Sequence, residues 1–406
     1  KLLMNTHLAS KLFTPITIGP LTLRNRTIRS AAFEGMCPGN APSPMLLDYH
    51  RSVAAGGVGM TTVAYASVTR SGLSFPRQLW LRPEIIPGLR ELTDAIHAEG
   101  AAASIQIGHC GNMSHKSICG VTPISASSGF NIYSPTWVRG MRREELPEMA
   151  KAYGRAVCLA VEVHAGHGYL ISQFLSPYTN RRKDEYGGSL ENRMRFMTIV
   201  MEEVMKAAGS DIAVFVKMNM RDGFRGGMEI EETLEVARRL ESLGVHALVL
   251  SGGFVSKAPM YVMRGAMPIR TLTHYMDCWW LKYGVKLAGR VMIPTVPFKE
   301  AYFLEDALKF RSEIKIPLIY VGGLVSREKI DEVLNEGFEA VQMARALLNE
   351  PGFVNRMRRE EKARCNCGHS NYCIGRMYTI EMACHHHLAE ELPLCLQKEI
   401  EHLENK

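Results

Sequence analysis

The run His164-Ala165-Gly166-His167-Gly168-Tyr169 places two histidines three residues apart, with a tyrosine two residues further on. Such a pair converges on one ligand if the chain turns between them. A two-histidine zinc site wants a third ligand or a carboxylate nearby, and none is obvious here. Two neutral imidazoles could instead donate hydrogen bonds to a developing oxyanion, with the Tyr169 hydroxyl as proton donor. Gln106 and Lys217 each close an apolar run. Gly322-Gly323 and Ala344-Arg345 also follow apolar runs; there, glycine N–H groups and a guanidinium fork would suit a phosphate. Ser251-Gly252-Gly253 is a weaker pattern of the same kind. Cys365, Cys367, Cys373 and Cys384 are spaced C-x-C-x5-C-x10-C, with His369 and His385 to His387 among them. Four thiolates this close suit an iron–sulfur cluster, zinc, or plain structural thiols.

These residues need a frame. Hydrophobic residues make up 46% of the 406-residue chain and charged residues 22%, which is ordinary globular composition and excludes disorder or coiled coil as a starting point. No apolar run is long enough to span a bilayer, so no membrane partner is expected. The net charge of +7 comes without a basic block, so nucleic acid is not expected either. Ten cysteines are too dilute for a disulfide scaffold, and the opening residues lack a signal run. A reducing cytoplasm and a small-molecule substrate are the expectation. Assembly into homo-oligomers is left open.

Eight short β-branched or apolar runs recur along the chain, near residues 27–33, 58–63, 101–106, 161–164, 212–217, 246–250, 317–321 and 338–343. Helical patterns separate most of them. The runs are continuously apolar, as in a parallel sheet buried on both faces. An open doubly wound sheet would usually split at this length, and no linker precedes residue 350. The fold class expected is therefore α/β, a (β/α)8 TIM barrel with a Cys/His-rich C-terminal extension. In that fold the chemistry collects just after each strand. One junction fits poorly: the helical pattern of 149–160 runs into the fourth strand without a turn, as though residues were missing between Ala160 and Val161.

The stretch from Val161 to Arg193, VEVHAGHGYLISQFLSPYTNRRKDEYGGSLENR, resembles the signature of the old yellow enzyme family of NAD(P)H-dependent flavin oxidoreductases and ene-reductases. The chain is similar to its single-domain members and to the barrel domain of the 2,4-dienoyl-CoA reductases. The resemblance implies that residues 11–356 form a barrel binding flavin mononucleotide (FMN) and that residues 357–406 form an extension packed on it. It implies that His164 and His167 anchor an electron-withdrawing substrate group while Tyr169 protonates carbon. It places Gln106 on the flavin pyrimidine and Lys217 near N1 and O2. Ala31, Ala64, Ser251, Gly252, Gly322, Gly323, Ala344 and Arg345 complete the implied cofactor contacts. The dienoyl-CoA reductases carry an iron–sulfur cluster on differently spaced cysteines, at the place corresponding to Cys365, Cys367, Cys373 and Cys384.

Two features depart from the family. In the segment after strand one, Ser30-Ala31-Ala32-Phe33-Glu34-Gly35, no hydroxyl or thiol stands at the point where the family usually sets a Thr or Cys against the flavin. An aromatic insertion at 275–302, including Trp279 and Trp280, could cap the site, pack between subunits, or simply lie on the surface. No G-x-G-x-x-G follows a strand, so NAD(P)H must share the substrate's side of the flavin and turnover is expected to be ping-pong. The function expected is reduction of α,β-unsaturated carbonyl compounds. The alternatives are an amine dehydrogenase or demethylase of the same superfamily and a catalytically silent flavin-binding protein.

Overall fold

The computed structural model describes residues 10–132, 135–157, 160–276, 278–388 and 392–405. Eight parallel strands close into a barrel: β1 (Thr27–Arg29), β2 (Met60–Ser67), β3 (Ala102–Gly108), β4 (Ala160–Ala165), β5 (Val214–Asn219), β6 (Ala247–Ser251), β7 (Leu318–Val321) and β8 (Ala340–Met343). Each pairs with its neighbours in sequence, and β8 returns to β1 through Val341 opposite Thr27. The outer helices are α1 (Pro44–Ala55), α2 (Ile86–Ala98), α3 (Glu145–Arg155), α4 (Leu190–Ala208), α5 (Ile230–Ser242), α6 (Leu304–Glu313), α7 (Arg327–Asn335) and α8 (Phe353–Arg359). The expected (β/α)8 architecture is what the chain adopts.

Local chemistry starts these helices where the barrel needs them. The Ser43, Ser189 and Ser326 hydroxyls accept from Leu46, Asn192 and Lys329 N–H, capping α1, α4 and α7. Alternation along the strands then divides the lumen in two. Ile28, Met60, Phe215, Val249, Ile319 and Ala340 fill its lower end, and the hairpin Ile16–Ile18/Leu21–Leu23 plugs it through Ile18 and Leu23. Two residues further along several strands, the inward positions turn polar, and the site lies there.

The junction before β4 contains the turn that its sequence pattern did not show, because the helix ends five residues before the strand begins. Helix α3 stops at Arg155 and β4 begins at Ala160, with a four-residue connection whose Cys158 and Leu159 lie outside the described residues. Ala160 and Val161 are consecutive in β4, opposite Ser104 and Ile105. Residues 1–9, read for a signal run, also lie outside the described residues.

After α8 the chain folds over the C-terminal mouth of the barrel. Helices Tyr372–Met377 and Leu394–Glu404 pack against helix Ile269–His274, and Met382 N–H donates to Glu34 O. The insertion at 275–302 contains a fourteen-residue helix, Trp279–Met292.

Candidate active site

At the upper end of the lumen four strands contribute to one buried network. Glu162 on β4 accepts from Gln106 Nε2 (2.6 Å, β3), Gln342 Nε2 (2.6 Å, β8) and Lys217 Nζ (2.8 Å, β5). Lys217 also donates to Ser30 Oγ at 3.2 Å, and Ser30 donates to Gln342 Oε1 at 2.9 Å. All five residues are buried. Burial pushes the Lys217 ammonium below its usual range, and the Glu162 charge pulls it back. Lys217 therefore stands at the floor of this end of the lumen as half of an ion pair with Glu162, a partner that the sequence did not suggest.

Above this network stand the three residues of the histidine motif. Gly166 N–H donates to His164 Nδ1 at 3.3 Å, which leaves the His164 ring proton on Nε2. His167 Nε2 lies 2.7 Å from Ser251 Oγ, and His167 N–H donates to Asn219 Oδ1 at 2.9 Å. The two imidazoles meet edge-on with centroids 5.0 Å apart, and the Tyr169 ring stands 4.7 Å from His164. Burial lowers both histidines, His164 well below its ordinary value and His167 to about 3, so both are neutral donors at physiological pH. Burial raises Tyr169, which keeps its proton. The motif therefore brings two neutral imidazoles and a protonated phenol together.

The longer signature proves to be mostly scaffold. Arg182 chelates Asp184 and reaches the Ala126 and Met141 carbonyls. Asn180 holds the Phe174 and Tyr186 carbonyls, and buried Arg193 binds Leu175 O and Glu232. These contacts fix the segment between β4 and α4 and so aim His164, His167 and Tyr169.

One cavity joins the polar floor to the barrel mouth, enclosing about 1410 Å³ with its opening included. Ala31, Gln106, His164, His167, Tyr169, Lys217, Ser251, Gly323, Ala344 and Arg345 line it, as expected for site residues. Ala64, Gly252 and Gly322 stand one layer back from it. The Ala64 N–H is bound to the buried carboxylate of Glu34, which is itself paired with Arg29. A Cβ on Gly252 would press on Tyr261 and Phe303, and one on Gly322 would lie 2.6 Å from the Tyr320 hydroxyl. Their glycine identity answers to packing against these rings.

At the far end Arg345 reaches Asn371 at 2.6 Å, and a second guanidinium, Arg264, stacks on Tyr261, Tyr302 and Phe303. Arg264 Nε is buried without a hydrogen-bond partner. Both cations act on Tyr302, whose ring lies against Gly323. An orphaned buried donor beside a second guanidinium and a left-handed glycine (φ +70°) fits a dianionic phosphate. FMN fits this cavity as a whole: Gln106, Lys217, Ser30 and Gln342 would hold the pyrimidine edge, and Arg264, Arg345 and Gly323 the phosphate.

Arg264, Tyr65, Glu162 and Gln342 were missed in the sequence. Arg264 sits in an irregular segment with no strand-end signal. Glu162 and Gln342 could have been found, since they occupy inward positions three residues and one residue before their strands' ends.

The four cysteines gather at the edge of this mouth. Asn349 bridges two of them: Cys365 Sγ donates to its Oδ1 at 3.1 Å, and its Nδ2 donates to Cys384 Sγ at 3.3 Å. Cys367, Cys373 and Cys384 line one small cavity of about 310 Å³, with His385, His386 and Glu404. No three of the four sulfurs lie within 4.8 Å of one another. A tetrahedral zinc with bonds of about 2.3 Å would hold its sulfurs closer than that.

Comparison with known proteins agrees with this geometry. The protein described as 4,4'-dithiodibutanoate disulfide reductase of Rhodococcus erythropolis is 39% identical over 384 residues, covering 93% of this chain and 95% of that protein. A 2-naphthoyl-CoA reductase structure superposes with a TM-score of 0.78 at 23% identity, over 96% of this chain and 58% of that one. The old yellow enzyme homologue of Zymomonas mobilis superposes with a TM-score of 0.70 at 21% identity, over 91% and 97%. These two likenesses concern the fold. Residues 11–288 match the sequence model of the NADH:flavin oxidoreductase / NADH oxidase family. With the flavin-sized cavity, the histidine pair and the paired lysine at its floor, these matches make the chain an FMN-dependent NAD(P)H oxidoreductase, a member of the old yellow enzyme family.

Proposed function

We propose that the enzyme reduces an activated alkene, a carbon–carbon double bond conjugated to a carbonyl, in a ping-pong cycle with NAD(P)H. The observation that carries this reading is the neutral pair His164 and His167 with protonated Tyr169 at one wall of the cavity. Bound FMN supplies hydride chemistry. The protein's share is polar. His164 Nε2–H and the His167 ring hold the substrate carbonyl and stabilise the negative charge that grows on its oxygen. Tyr169 Oη delivers the proton that the α-carbon needs. Phe33, Phe75, Val255 and Met377 give the same space apolar walls that exclude water from the carbanionic carbon. The same two histidines would receive the nicotinamide carboxamide in the reductive half.

A second reading rests on the Rhodococcus relative. An organic disulfide needs two electrons and two protons to become two thiols, and this site could supply both protons through Tyr169 and solvent. No cysteine lines the cavity among the described residues, so such a reaction would involve no mixed disulfide with the protein there. An anaerobic stopped-flow experiment separates the readings. Flavin bleaching is followed with NADH and NADPH, and reoxidation with an enone, an organic disulfide and no acceptor. Faster reoxidation by the enone supports the alkene reading; faster reoxidation by the disulfide replaces it. Bleaching only by an added amine would assign the chain to the amine dehydrogenase branch.

The cysteine cluster also belongs to this proposal. No three of these sulfurs approach as closely as a zinc centre needs, so the iron–sulfur cluster implied by the family resemblance is the reading taken to test.

A further inference from the structure

Helix Trp279–Met292 carries two unlike stripes on its outer side. Trp279, Tyr283, Leu287 and Val291 recur every fourth residue, with Trp280 beside them, and all are exposed: Trp279 by 71%, Leu287 and Val291 by 85% each. Next to this stripe, also every fourth residue, run Lys282, Lys286 and Arg290. The helix has no acidic residue, and no carboxylate pairs with these three cations among the described residues. The inner face is held by Val285 and Gly289 against Ile269 and the cluster of Met260, Met267 and Ile374. The helix is therefore anchored by one face while a long apolar stripe points away from the core. A cleft lined by Arg270, Arg290, Lys398 and His402 runs on toward the C-terminal helix; its one carboxylate, Glu399, accepts from the Arg270 and Thr271 N–H groups and the Thr271 hydroxyl.

We propose that this helix seats the enzyme on an anionic lipid bilayer, lying in the plane of the interface. Tryptophan and tyrosine favour the headgroup level, leucine and valine the acyl boundary, and a flanking row of lysine and arginine meets anionic headgroups. Charge decides against the other occupants. Pairing two copies through this face would bring six uncompensated cations together. A nucleic acid would meet the cations but leave exposed Leu287 and Val291 without a fitting surface. The sequence-based expectation of no membrane partner rested on the lack of a spanning segment. No helix among the described residues is long and apolar enough to cross a bilayer, and an interfacial helix needs no such segment. The cluster under the helix also contains Met263, Ile374 and Met377, which line the catalytic cavity. Bilayer contact and the site wall thus share one apolar body.

Flotation of the FMN-loaded full chain with vesicles tests this. Vesicles of phosphatidylcholine and phosphatidylglycerol in equal parts should carry the enzyme upward, and vesicles of phosphatidylcholine alone should carry much less. The triple variant Lys282→Glu, Lys286→Glu, Arg290→Glu should lose at least about a hundredfold in partitioning, from roughly fivefold per lost cation. Trp279→Ser with Leu287→Ser should lose binding to a similar degree. Flavin content and NAD(P)H oxidation in solution, measured on both variants, show that the fold is intact. Equal flotation of variants and wild type, or no flotation with the anionic vesicles, overturns the proposal. So does a dimer in lipid-free solution that Trp279→Ser with Leu287→Ser converts to monomer, since the stripe would then belong to a second copy.

Discussion

The hydroxyls of Tyr65, on β2, and Tyr169, in the segment after β4, lie 3.2 Å apart and share a hydrogen bond. Their rings are tilted against each other with centroids at 5.2 Å. Burial raises both phenols, so the pair stays protonated. Tyr65 therefore positions the hydroxyl that we assign as proton donor. Tyr169→Phe keeps the ring and removes the proton. Flavin reduction by NAD(P)H should remain nearly intact, while alkene reduction slows by roughly 10²–10⁴, the usual loss for a general acid. Tyr65→Phe should slow only the same oxidative half, and by less. Separate stopped-flow traces of the two half-reactions check this, and equal enone reoxidation in Tyr169→Phe would leave the proton to water.

Acid precipitation of the purified protein should release a yellow supernatant that chromatographs as FMN. Arg345→Ala and Arg264→Ala should each weaken FMN retention by about 1.5–3 kcal/mol, the worth of one hydrogen bond to a charged group. Turnover in FMN-saturated enzyme should change far less. Kd values from fluorescence titration of the apoprotein check both. An Arg264→Ala variant that keeps FMN as tightly as wild type would remove that residue from the phosphate site.

Glu162 and Lys217 should depend on each other. Glu162→Gln leaves a buried ammonium with only amide and hydroxyl partners, and breaking a buried pair costs about 3–5 kcal/mol. Adding Lys217→Met should restore part of that stability while lowering flavin affinity. Denaturant unfolding of the three variants without flavin gives the coupling. Additive losses would mean that the two charges do not act as a pair.

Stability should fall in mild acid. His109 and His167 are both held down to about 3 by burial, so they are neutral in the folded state well below the pH at which they protonate when unfolded. Below about pH 6.5 the unfolded chain binds protons that the folded chain refuses. Each histidine then removes about 1.4 kcal/mol per pH unit as pH falls from there toward 3. Urea midpoints between neutral pH and pH 5 should drop accordingly, and less steeply in His109→Gln.

If the cysteines hold an iron–sulfur cluster, anaerobically purified protein should contain iron and acid-labile sulfide in equal amounts, with no zinc. Replacing Cys373 by Ser should remove both without releasing FMN. Stoichiometric zinc, or no metal at all, would answer against the cluster.

The barrel was readable because buried parallel strands are apolar throughout and repeat at helix-sized intervals; all eight were found. The motif residues His164, His167 and Tyr169 were legible because a strand end fixes where they point. Glu162 was passed over because an acid inside VEVHA reads as one odd residue, although the alternation that aims His164 at the site also turns Glu162 inward, toward Gln106, Gln342 and Lys217. Arg264 was hidden for a different reason. Its backbone is left-handed (φ +55°) in a segment without periodicity, and only tertiary stacking on three aromatic rings defines it. The aromatic insertion showed its composition but not its faces, since stripes become meaningful only once the inner face is known.

His167 and Gly168 are consecutive left-handed residues (φ +56° and +79°), and a Cβ on Gly168 would enter the Phe254 ring at 2.5 Å. A backbone turned twice in this way has no tolerance for insertion, deletion or a bulkier neighbour. Diversification of this enzyme toward new acceptors would therefore leave the histidine turn untouched. It would proceed through Val255, Met263 and Met377 around the rim, where side chains can be exchanged without moving the atoms that do the chemistry.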